Sequence, residues 1–390
     1  MSELLDFTAR HSEAMVNLLR DLAEQESPTA HTADEKAACD RLATYLAGVF
    51  VSHGAHVERV AQNVRGDHLI ARWGSGDRPA LILAHYDTVW PLGTLASMPV
   101  YAVDDRLHGP GVFDMKGGLV LSLYAIHALR ELGRLRGPVT LLVNSDEEVG
   151  SLTSRALIEA EARRSRAALV VEPAQPPNAA LKTSRKGVGR FQVRVVGKPA
   201  HSGWVAEQGA SAIEELARQI VDLYALADVP RGTTVNVGVI HGGTRANVVA
   251  AEAAADVDVR VTSHAEAERL SHAILSRQPH NKDTRLEISG GLNRPPMERT
   301  TGTAALYRVA QRVGAELGIA VAESGSGGGS DGNFTSAIGV PTLDGLGVVG
   351  AGAHGHDEHV LLSSMAPRAA LLAGIIEAIS TAEAGAAWAG

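Results

Sequence analysis

The sequence of 390 residues contains a single cysteine, Cys39, which excludes an intrachain disulfide and a zinc site built from Cys-x-x-Cys pairs. Any metal ion would have to be held by histidines and carboxylates. Basic charge is also scarce, because 36 Lys and Arg residues stand against 44 Asp and Glu residues and the formal net charge is -8. A phosphate backbone would meet no basic field, so we do not expect nucleic acid as a partner.

A secretion signal and long apolar runs are missing as well. The N-terminal segment is amphipathic and charged from its third residue, and no run is expected to reach the apolar length of a membrane span. We therefore expect a cytoplasmic protein without a membrane partner. The length and the 45% hydrophobic content are sufficient for two domains of ordinary size with a sizeable core.

Short apolar segments of strand length alternate with helical periodicity in the first half of the chain. The predicted strands are 69–73, 80–84, 139–143 and 168–171, and helical periodicity covers 12–50, 119–132 and 154–163. Such alternation is typical of a mainly parallel sheet covered by helices, the α/β class.

The pattern changes after Pro176 and Pro177. Strands 186–197, 233–241, 248–261 and 285–289 and helices 210–225 and 265–277 follow in the order βαββαβ, the split arrangement of a ferredoxin-like domain. Pro295 and Pro296 end this segment, and a helix over 304–317 resumes the first pattern. We predict a discontinuous larger domain, 1–181 and 297–390, with an inserted domain, 182–296. The Ala-rich segment 382–389 is expected to be a frayed end.

Titratable residues stand directly after three of the predicted strands: His85-Tyr86-Asp87, Asp146-Glu147-Glu148 and Glu172. Open α/β sheets bind ligands at the carboxyl ends of their strands, so we expect these residues to converge in one crevice. Asp114, in a glycine-rich loop, and His354, in a histidine-rich segment, complete the candidate set. Imidazole and carboxylate ligands without sulfur suit zinc, and Asp114 is the natural bridge between two ions about 3.5 Å apart.

The residues beside these ligands have separate predicted tasks. Asp87 lies two residues from His85 on the same face of an extended segment, so its carboxylate can accept the other ring N–H and fix the tautomer. Glu147 and Glu148 point in different directions in an extended chain. We predict that Glu148 binds metal and that Glu147 is the general base. Each residue taken alone is more simply explained as a solvated surface residue or a capping residue, and only the combination favours a functional site.

Together these motifs resemble the dizinc peptidase family of glutamate carboxypeptidase (carboxypeptidase G type), acetylornithine deacetylase, succinyl-diaminopimelate desuccinylase and aminoacylase. The matching motifs are His85-Tyr-Asp87-Thr-Val, Asp114-Met-Lys-Gly-Gly, Asp146-Glu-Glu-Val-Gly, Glu172-Pro, Gly197-Lys-Pro-Ala-His201-Ser-Gly and Ala353-His-Gly-His-Asp-Glu358. They follow the family's order over nearly the whole chain.

The resemblance implies a ligand set for each of two Zn²⁺ ions. One ion would be bound by His85, Asp114 and Glu172, and the other by Asp114, Glu148 and His354. Co²⁺ or Mn²⁺ could occupy the same ligands. Glu147 would act as general acid and base while a metal-bridged hydroxide attacks an amide next to a free carboxylate.

For the inserted domain the resemblance implies dimerisation and a lid function. Family members form homodimers through this domain, and His201 would reach the oxyanion in the partner subunit. Asn247, Arg260 and Arg294 are similar to substrate-binding positions, where a guanidinium suits a carboxylate. Arg260 could instead balance a neighbouring aspartate, and Arg294 could cap a Pro-rich turn. The glycine-rich segment 327–332 could be a substrate loop or a plain flexible loop.

The sequence leaves the substrate open. A glutamate carboxypeptidase-like enzyme acting on a peptide or N-acyl amino acid is the first hypothesis, and an N-acyl-amino-acid deacylase is the second. A metal-binding homologue without activity and a mononuclear aminopeptidase are further alternatives. His354, His356 and His359 also compete for one ligand position, and the spacing to Glu358 favours His354.

Overall fold

The computed structural model describes residues 1–380, so the predicted frayed segment 382–389 lies outside the described residues. The chain divides into two compact units. The first contains Met1–Ser184, Arg299–Ser326 and the residues from Ser330 onward, and the second contains Arg185–Glu298 and Gly327–Gly329. The second unit lies close to the predicted insertion 182–296, and the sequence did not indicate that Gly327–Gly329 would join it.

A mainly parallel sheet of six strands forms the centre of the first unit. Its order is β1-β2-β6-β3-β7-β14, where β6, β3, β7 and β14 run parallel and β2 pairs antiparallel with both β6 and β1. The strands are β1 His56–Val60, β2 His68–Trp73, β3 Ala80–His85, β6 Val139–Asn144, β7 Ala167–Val170 and β14 Thr342–Leu343. Every residue of β3, β6 and β7 is buried, as expected for strands covered on both faces.

Helices cover this sheet on both faces. They are α1 Ser2–Arg10, α2 Ser12–Ala23, α3 Ala33–Ser52, α4 Gly117–Glu131, α5 Arg155–Arg163, α8 Thr301–Leu317, α9 Gly332–Ala337 and α10 Met365–Ser380. Ile82 and Leu141 face the larger core, which includes α4 and α10. Leu83 and Leu142 face a smaller core with Ile158 of α5.

The predicted helical region 12–50 is interrupted, which corrects the sequence interpretation. α2 ends at Ala23 and α3 begins at Ala33, where Thr32 and Glu35 form a reciprocal capping box. Pro28 lies in the intervening segment, and proline disfavours helical geometry in the residue before it. The periodicity continues across two helices that are separated by an extended connection.

Two further small sheets were not expected from the sequence. The short strands β4 Tyr101–Val103, β5 Arg106–His108, β15 Gly350–Ala351 and β16 His359–Leu361 form an antiparallel sheet in the order β15-β16-β5-β4. β8 Leu181–Arg185 pairs with β13 Glu323–Ser326. The first of these sheets matters for the site, because β5 leads into the Asp114 loop and His354 lies between β15 and β16.

The second unit has the βαββαβ order that the sequence predicts. Its elements are β9 Gly187–Val196, α6 Ala212–Tyr224, β10 Thr234–Gly242, β11 Glu252–Val261, α7 His264–Leu275 and β12 Arg285–Arg294. The sheet is antiparallel in the order β10-β11-β9-β12. Leu216 of α6 and Leu270 of α7 pack against alternate residues of β9 and β11, such as Val193 and Val257. The predicted fold class is confirmed.

Two helical stretches, Val112–Glu131 and Leu362–Ser380, have the length and apolar composition of a membrane span, contrary to the sequence expectation. Most of each stretch is buried inside the first unit, where α10 packs against α4 and α8. Burial of this kind is what a core helix shows, so the two stretches are weak evidence for a membrane-spanning role.

Candidate dinuclear metal centre

The candidate ligands stand at one edge of the parallel sheet. His85 is the last residue of β3, Glu148 follows β6 in a short turn, and Glu172 follows β7 by two residues. Because β3, β6 and β7 are parallel neighbours, their carboxyl ends bring these side chains together. Asp114 in the loop before α4 and His354 between β15 and β16 are added from loops.

Asp114 lies between two sets of candidate ligands. His85 Nε2 is 3.4 Å from Asp114 Oδ1 and 3.6 Å from Glu172 Oε1. On the other side, His354 Nε2 is 3.4 Å from Asp114 Oδ2 and 3.2 Å from Glu148 Oε2. Each carboxylate oxygen of Asp114 therefore faces a different histidine, which is the arrangement that a bridging ligand requires.

These separations suit metal ligands better than hydrogen-bond partners. Two atoms that each lie about 2.1 Å from one tetrahedral ion are roughly 3.4 Å apart. His85 Nε2 and Glu148 Oε1 are also buried without a hydrogen-bond partner in the described part of the chain, although buried polar atoms are normally paired. The residues therefore fit a pair of divalent ions with nitrogen and oxygen ligands.

The pKa shifts within the cluster also favour bound cations. Burial, together with the nearby charge of Asp114, raises the pKa of Glu148 to about 7. The carboxylates of Asp114 and Glu148 raise the pKa of His354 to about 10. Burial opposes the charged form of His85, but the neighbouring carboxylates of Asp114, Asp87 and Glu172 outweigh it and raise the pKa of His85 well above its ordinary value. Closely spaced buried carboxylates thus create a strong local demand for positive charge.

Glu147 and Glu148 approach different parts of the cluster. Two groups of three side chains each have ligand atoms that all lie within 4.8 Å of one another. The first group is His85, Asp114 and Glu148, and the second is His85, Glu147 and Glu172. Glu147 therefore lies beside His85 and Glu172, and Glu148 lies beside His85 and Asp114.

The contact between Asp87 and the His85 imidazole differs from the predicted one. His85 Nδ1 is 2.9 Å from the backbone carbonyl oxygen of Asp87 and 3.4 Å from the carboxylate Oδ1. The buried carboxylate instead accepts the backbone N–H groups of Glu147 at 3.2 Å and Glu148 at 3.3 Å. Asp87 thus orients the imidazole mainly through its main chain and the two glutamates through its side chain.

Glu358 holds the Asp114 loop, a role that the sequence reading did not assign. Its carboxylate is 1% exposed and accepts the backbone N–H groups of Gly111, Phe113 and Asp114, each at 3.0 Å. Trp90 Nε1 donates a further bond at 3.0 Å. The peptide bond after Asp114 is cis. The only sequence signal for Glu358 was its place in the motif that contains His354.

The structure separates the competing histidines. Only His354 is placed against Asp114 and Glu148 among the histidines of that segment. The ring of His356 lies 5.3 Å from the ring of Trp90. His359 is paired in register with His108 across β16 and β5, and their rings are 5.0 Å apart. The choice of His354 from spacing therefore agrees with the geometry.

Four predicted residues lie in the second unit. His201 and Asn247 are exposed, and His201 Nδ1 accepts the backbone N–H of Gly203 at 3.2 Å. That bond places the proton of the neutral ring on Nε2, which can then act as a donor. Arg260 forms a bidentate pair with Asp258 at 2.8 and 3.0 Å, the alternative that its sequence neighbours suggested. Arg294 is buried, with 5% of its surface exposed.

Comparison with known proteins identifies the family. Residues 81–378 match the family model of peptidase family M20/M25/M40. The chain is 30% identical over 315 residues to carboxypeptidase G2 of Pseudomonas sp. (strain RS-16), covering 78% of this chain and 75% of that protein. It is 31% identical over 330 residues to succinyl-diaminopimelate desuccinylase of Leptothrix cholodnii, covering 78% and 84%.

Solved structures show the same fold. An aminopeptidase from Bacillus cereus ATCC 10987 superposes with a TM-score of 0.77 at 23% identity, covering 95% of this chain and 99% of that chain. A dinuclear metal-binding peptidase of the M20 family from Bacillus subtilis gives a TM-score of 0.68 at 16% identity, covering 95% and 99%. The resemblance seen in the sequence motifs is confirmed, and the chain belongs to peptidase family M20/M25/M40, a family of metal-dependent peptidases and amidohydrolases.

Proposed function

We propose that the protein binds two divalent metal ions, Zn²⁺ in the first instance, and removes a C-terminal amino acid from a peptide or N-acyl substrate. The observation that carries this proposal is the position of Asp114, which offers one oxygen to the side of His85 and the other to the side of His354. The similarity to a protein named carboxypeptidase G2 over three quarters of its length supports a glutamate carboxypeptidase-like specificity.

Bound metal ions in such a centre polarise the scissile carbonyl and make a water molecule acidic enough to attack it. The protein supplies the proton transfer. Glu147 would accept a proton from the attacking water and then donate it to the leaving nitrogen, a role typically worth 10²–10⁴-fold in rate. Asp87 supports this step, because its hydrogen bond to the Glu147 backbone holds the glutamate beside His85 and Glu172.

The second unit would supply the contacts to substrate. His201 carries its proton on Nε2 and would stabilise the oxyanion of a substrate bound in the partner subunit. Arg260 and Arg294 are both proposed to contact the substrate carboxylate, and Arg260 would do so while it is paired with Asp258. Asn247 is proposed as an additional polar contact.

A homodimer formed through the second unit belongs to the same proposal. Strand β10 is an edge of its sheet among the described residues, and its Ile240 is 57% exposed. On α6, Val221 is 69% exposed and Ile213 is 44% exposed. An exposed edge strand beside apolar side chains is a surface that a second strand can pair with and cover. Sedimentation would test this, and a fully active monomer would remove the role of His201. The cytoplasmic location stays a prediction.

The deciding experiment is hydrolysis of a panel of N-acyl and N-aminoacyl derivatives of glutamate, aspartate and neutral amino acids, with Zn²⁺ and with a chelator. Cleavage that depends on metal and selects one C-terminal residue across many acyl groups would support a carboxypeptidase. The similarity to a succinyl-diaminopimelate desuccinylase favours a deacylase as the second candidate. Selection of one acyl group across many amino acids would support that alternative and refute the first.

The role of Glu147 has its own test. Glu147→Gln keeps the shape of the side chain but removes the proton acceptor, so turnover should fall by about 10²–10⁴-fold while bound metal stays near two ions per chain. Glu159→Gln is a suitable control because Glu159 pairs with Arg155 and Arg163 on the surface of α5. Unchanged activity of Glu147→Gln would exclude its proposed role.

A further inference from the structure

The extended connection between α2 and α3 lies directly behind the metal centre. Thr29 N–H donates to the carbonyl of Thr88 at 3.1 Å, and Thr88 N–H donates to the carbonyl of Ser27 at 2.8 Å. Pro28 and Thr88 form a parallel bridge between them. These main-chain bonds fix the segment 27–29 beside the segment that begins with His85.

Thr29 makes one side-chain contact that stands out in this arrangement. Its hydroxyl donates to Asp87 Oδ2 at 2.6 Å, and both residues are buried, with Thr29 6% exposed and Asp87 0%. The same Asp87 carboxylate accepts the backbone N–H of Glu147 through Oδ1 and that of Glu148 through Oδ2. A hydrogen-bonded chain therefore runs from Thr29 through Asp87 to the turn that aims the proposed base and the proposed ligand.

The Thr29 hydroxyl restricts the orientation of the Asp87 carboxylate. A carboxylate can rotate about its last side-chain bond, and the two backbone donors at 3.2 and 3.3 Å are longer than the hydroxyl bond at 2.6 Å. The short O–H···O⁻ bond is the stronger type and limits that rotation. If it is lost, the carboxylate can tilt, and the Glu147-Glu148 turn loses one of its anchors.

We propose that Thr29 is a positioning residue that acts through Asp87 to set the orientation of Glu147 and Glu148. The proposal rests on the proposed function only for its kinetic effect. Its effect on metal binding holds for any substrate, because Glu148 is a candidate ligand whatever bond is cleaved. Residues that orient metal ligands from behind typically contribute 10–100-fold in metal affinity or activity.

The test compares Thr29→Val, which keeps the shape and removes the hydroxyl, with Thr29→Ser, which keeps the hydroxyl. We expect Thr29→Val to lower kcat by about tenfold or more with little change in KM, and to weaken Zn²⁺ binding in calorimetric titration by a similar factor. Thr29→Ser should restore both. If Thr29→Val does not fold, Thr29→Ala replaces it.

Thr8→Val is the matched control. Thr8 is also fully buried and its hydroxyl bonds to a backbone carbonyl in α1, so the same change removes a hydrogen bond away from the site. It should lower the melting temperature without changing kcat or Zn²⁺ affinity. If Thr29→Val changes only the melting temperature, as Thr8→Val does, the positioning role is refuted.

A double-mutant cycle with Asp87→Asn checks that the effect passes through Asp87. Residues that act in one chain are not additive, so Thr29→Val should add little in the Asp87→Asn background. Additive losses would mean that Thr29 acts by another route and would overturn the proposal. If the wild-type protein hydrolyses no N-acyl amino acid, the proposed function fails, and the Zn²⁺ titrations still decide the role of Thr29.

Discussion

Replacing Glu358 by glutamine should destabilise the protein and weaken metal binding, and the structure indicates by how much. Each carboxylate oxygen accepts two donors: Oε1 from the N–H groups of Phe113 and Asp114, and Oε2 from Gly111 N–H and Trp90 Nε1. In glutamine one oxygen becomes an NH₂ group, which cannot accept. In either amide orientation two N–H groups would then lack an acceptor, one of them buried and the other partly buried.

An unsatisfied buried donor costs about 1–3 kcal/mol, so Glu358→Gln should lose roughly 2–6 kcal/mol of unfolding free energy. That is a large part of the 5–15 kcal/mol typical of a folded protein. In either orientation at least one backbone N–H of the loop that carries Asp114 would be released, so both metal ions should bind more weakly.

Urea unfolding followed by circular dichroism would measure the stability, and calorimetric titration with Zn²⁺ would measure the affinity. Glu323→Gln is the matched control, because Glu323 is 31% exposed in its pair with Arg299 and an exposed pair contributes only about 0–1 kcal/mol. The reasoning is refuted if Glu358→Gln unfolds at the wild-type urea concentration and binds Zn²⁺ with unchanged affinity.

Three other perturbations have defined outcomes. Gly118→Ala should lower the free energy of unfolding by at least about 1–3 kcal/mol and lower activity, because the added Cβ would lie 1.9 Å from the Val171 carbonyl oxygen next to Glu172. The control Gly48→Ala has open space around the added Cβ and should be neutral or stabilising. Equal melting temperatures for the two variants would contradict this prediction. Burial lowers the pKa of His127 below its ordinary value of 6.5, so the unfolded chain takes up the proton first and stability should fall as pH drops below about 6.5; the slope should be smaller in His127→Gln, and an identical slope would exclude this contribution. Removing metal with a chelator should lower the melting temperature, because ions that bind only the folded state stabilise it by about 4 kcal/mol at a thousandfold excess over Kd; an unchanged melting temperature would argue against the proposed centre.

The environments of two arginines, which the sequence could not predict, bear on substrate selection. Arg260 was a candidate for binding a carboxylate, but its guanidinium is already paired with Asp258, two residues away on the same strand face. Arg294 was expected to be a cap or a ligand and is buried at the end of β12. Whether a charged side chain in a strand faces a partner or the solvent depends on register and burial, which composition does not reveal.

The sequence by itself determined the alternation of elements, the βαββαβ order of the second unit and the chemical type of the metal ligands. These properties are local: apolar spacing reports helix or strand, and ligands at strand ends need only the strand assignment. It also favoured His354 over its neighbours through a spacing of four residues to Glu358, and the geometry agrees.

Only the tertiary structure decided how those ligands are held. The break between α2 and α3 brings Thr29 to Asp87, 58 residues away, and Glu358 reaches the N–H groups of the Asp114 loop from 244 residues away or more. The small sheet of β5 and β16, which carries both ligand loops, likewise joins distant segments. Hydrogen bonds of this kind depend on where the chain returns in space, so neither residue type nor periodicity at either end predicts them.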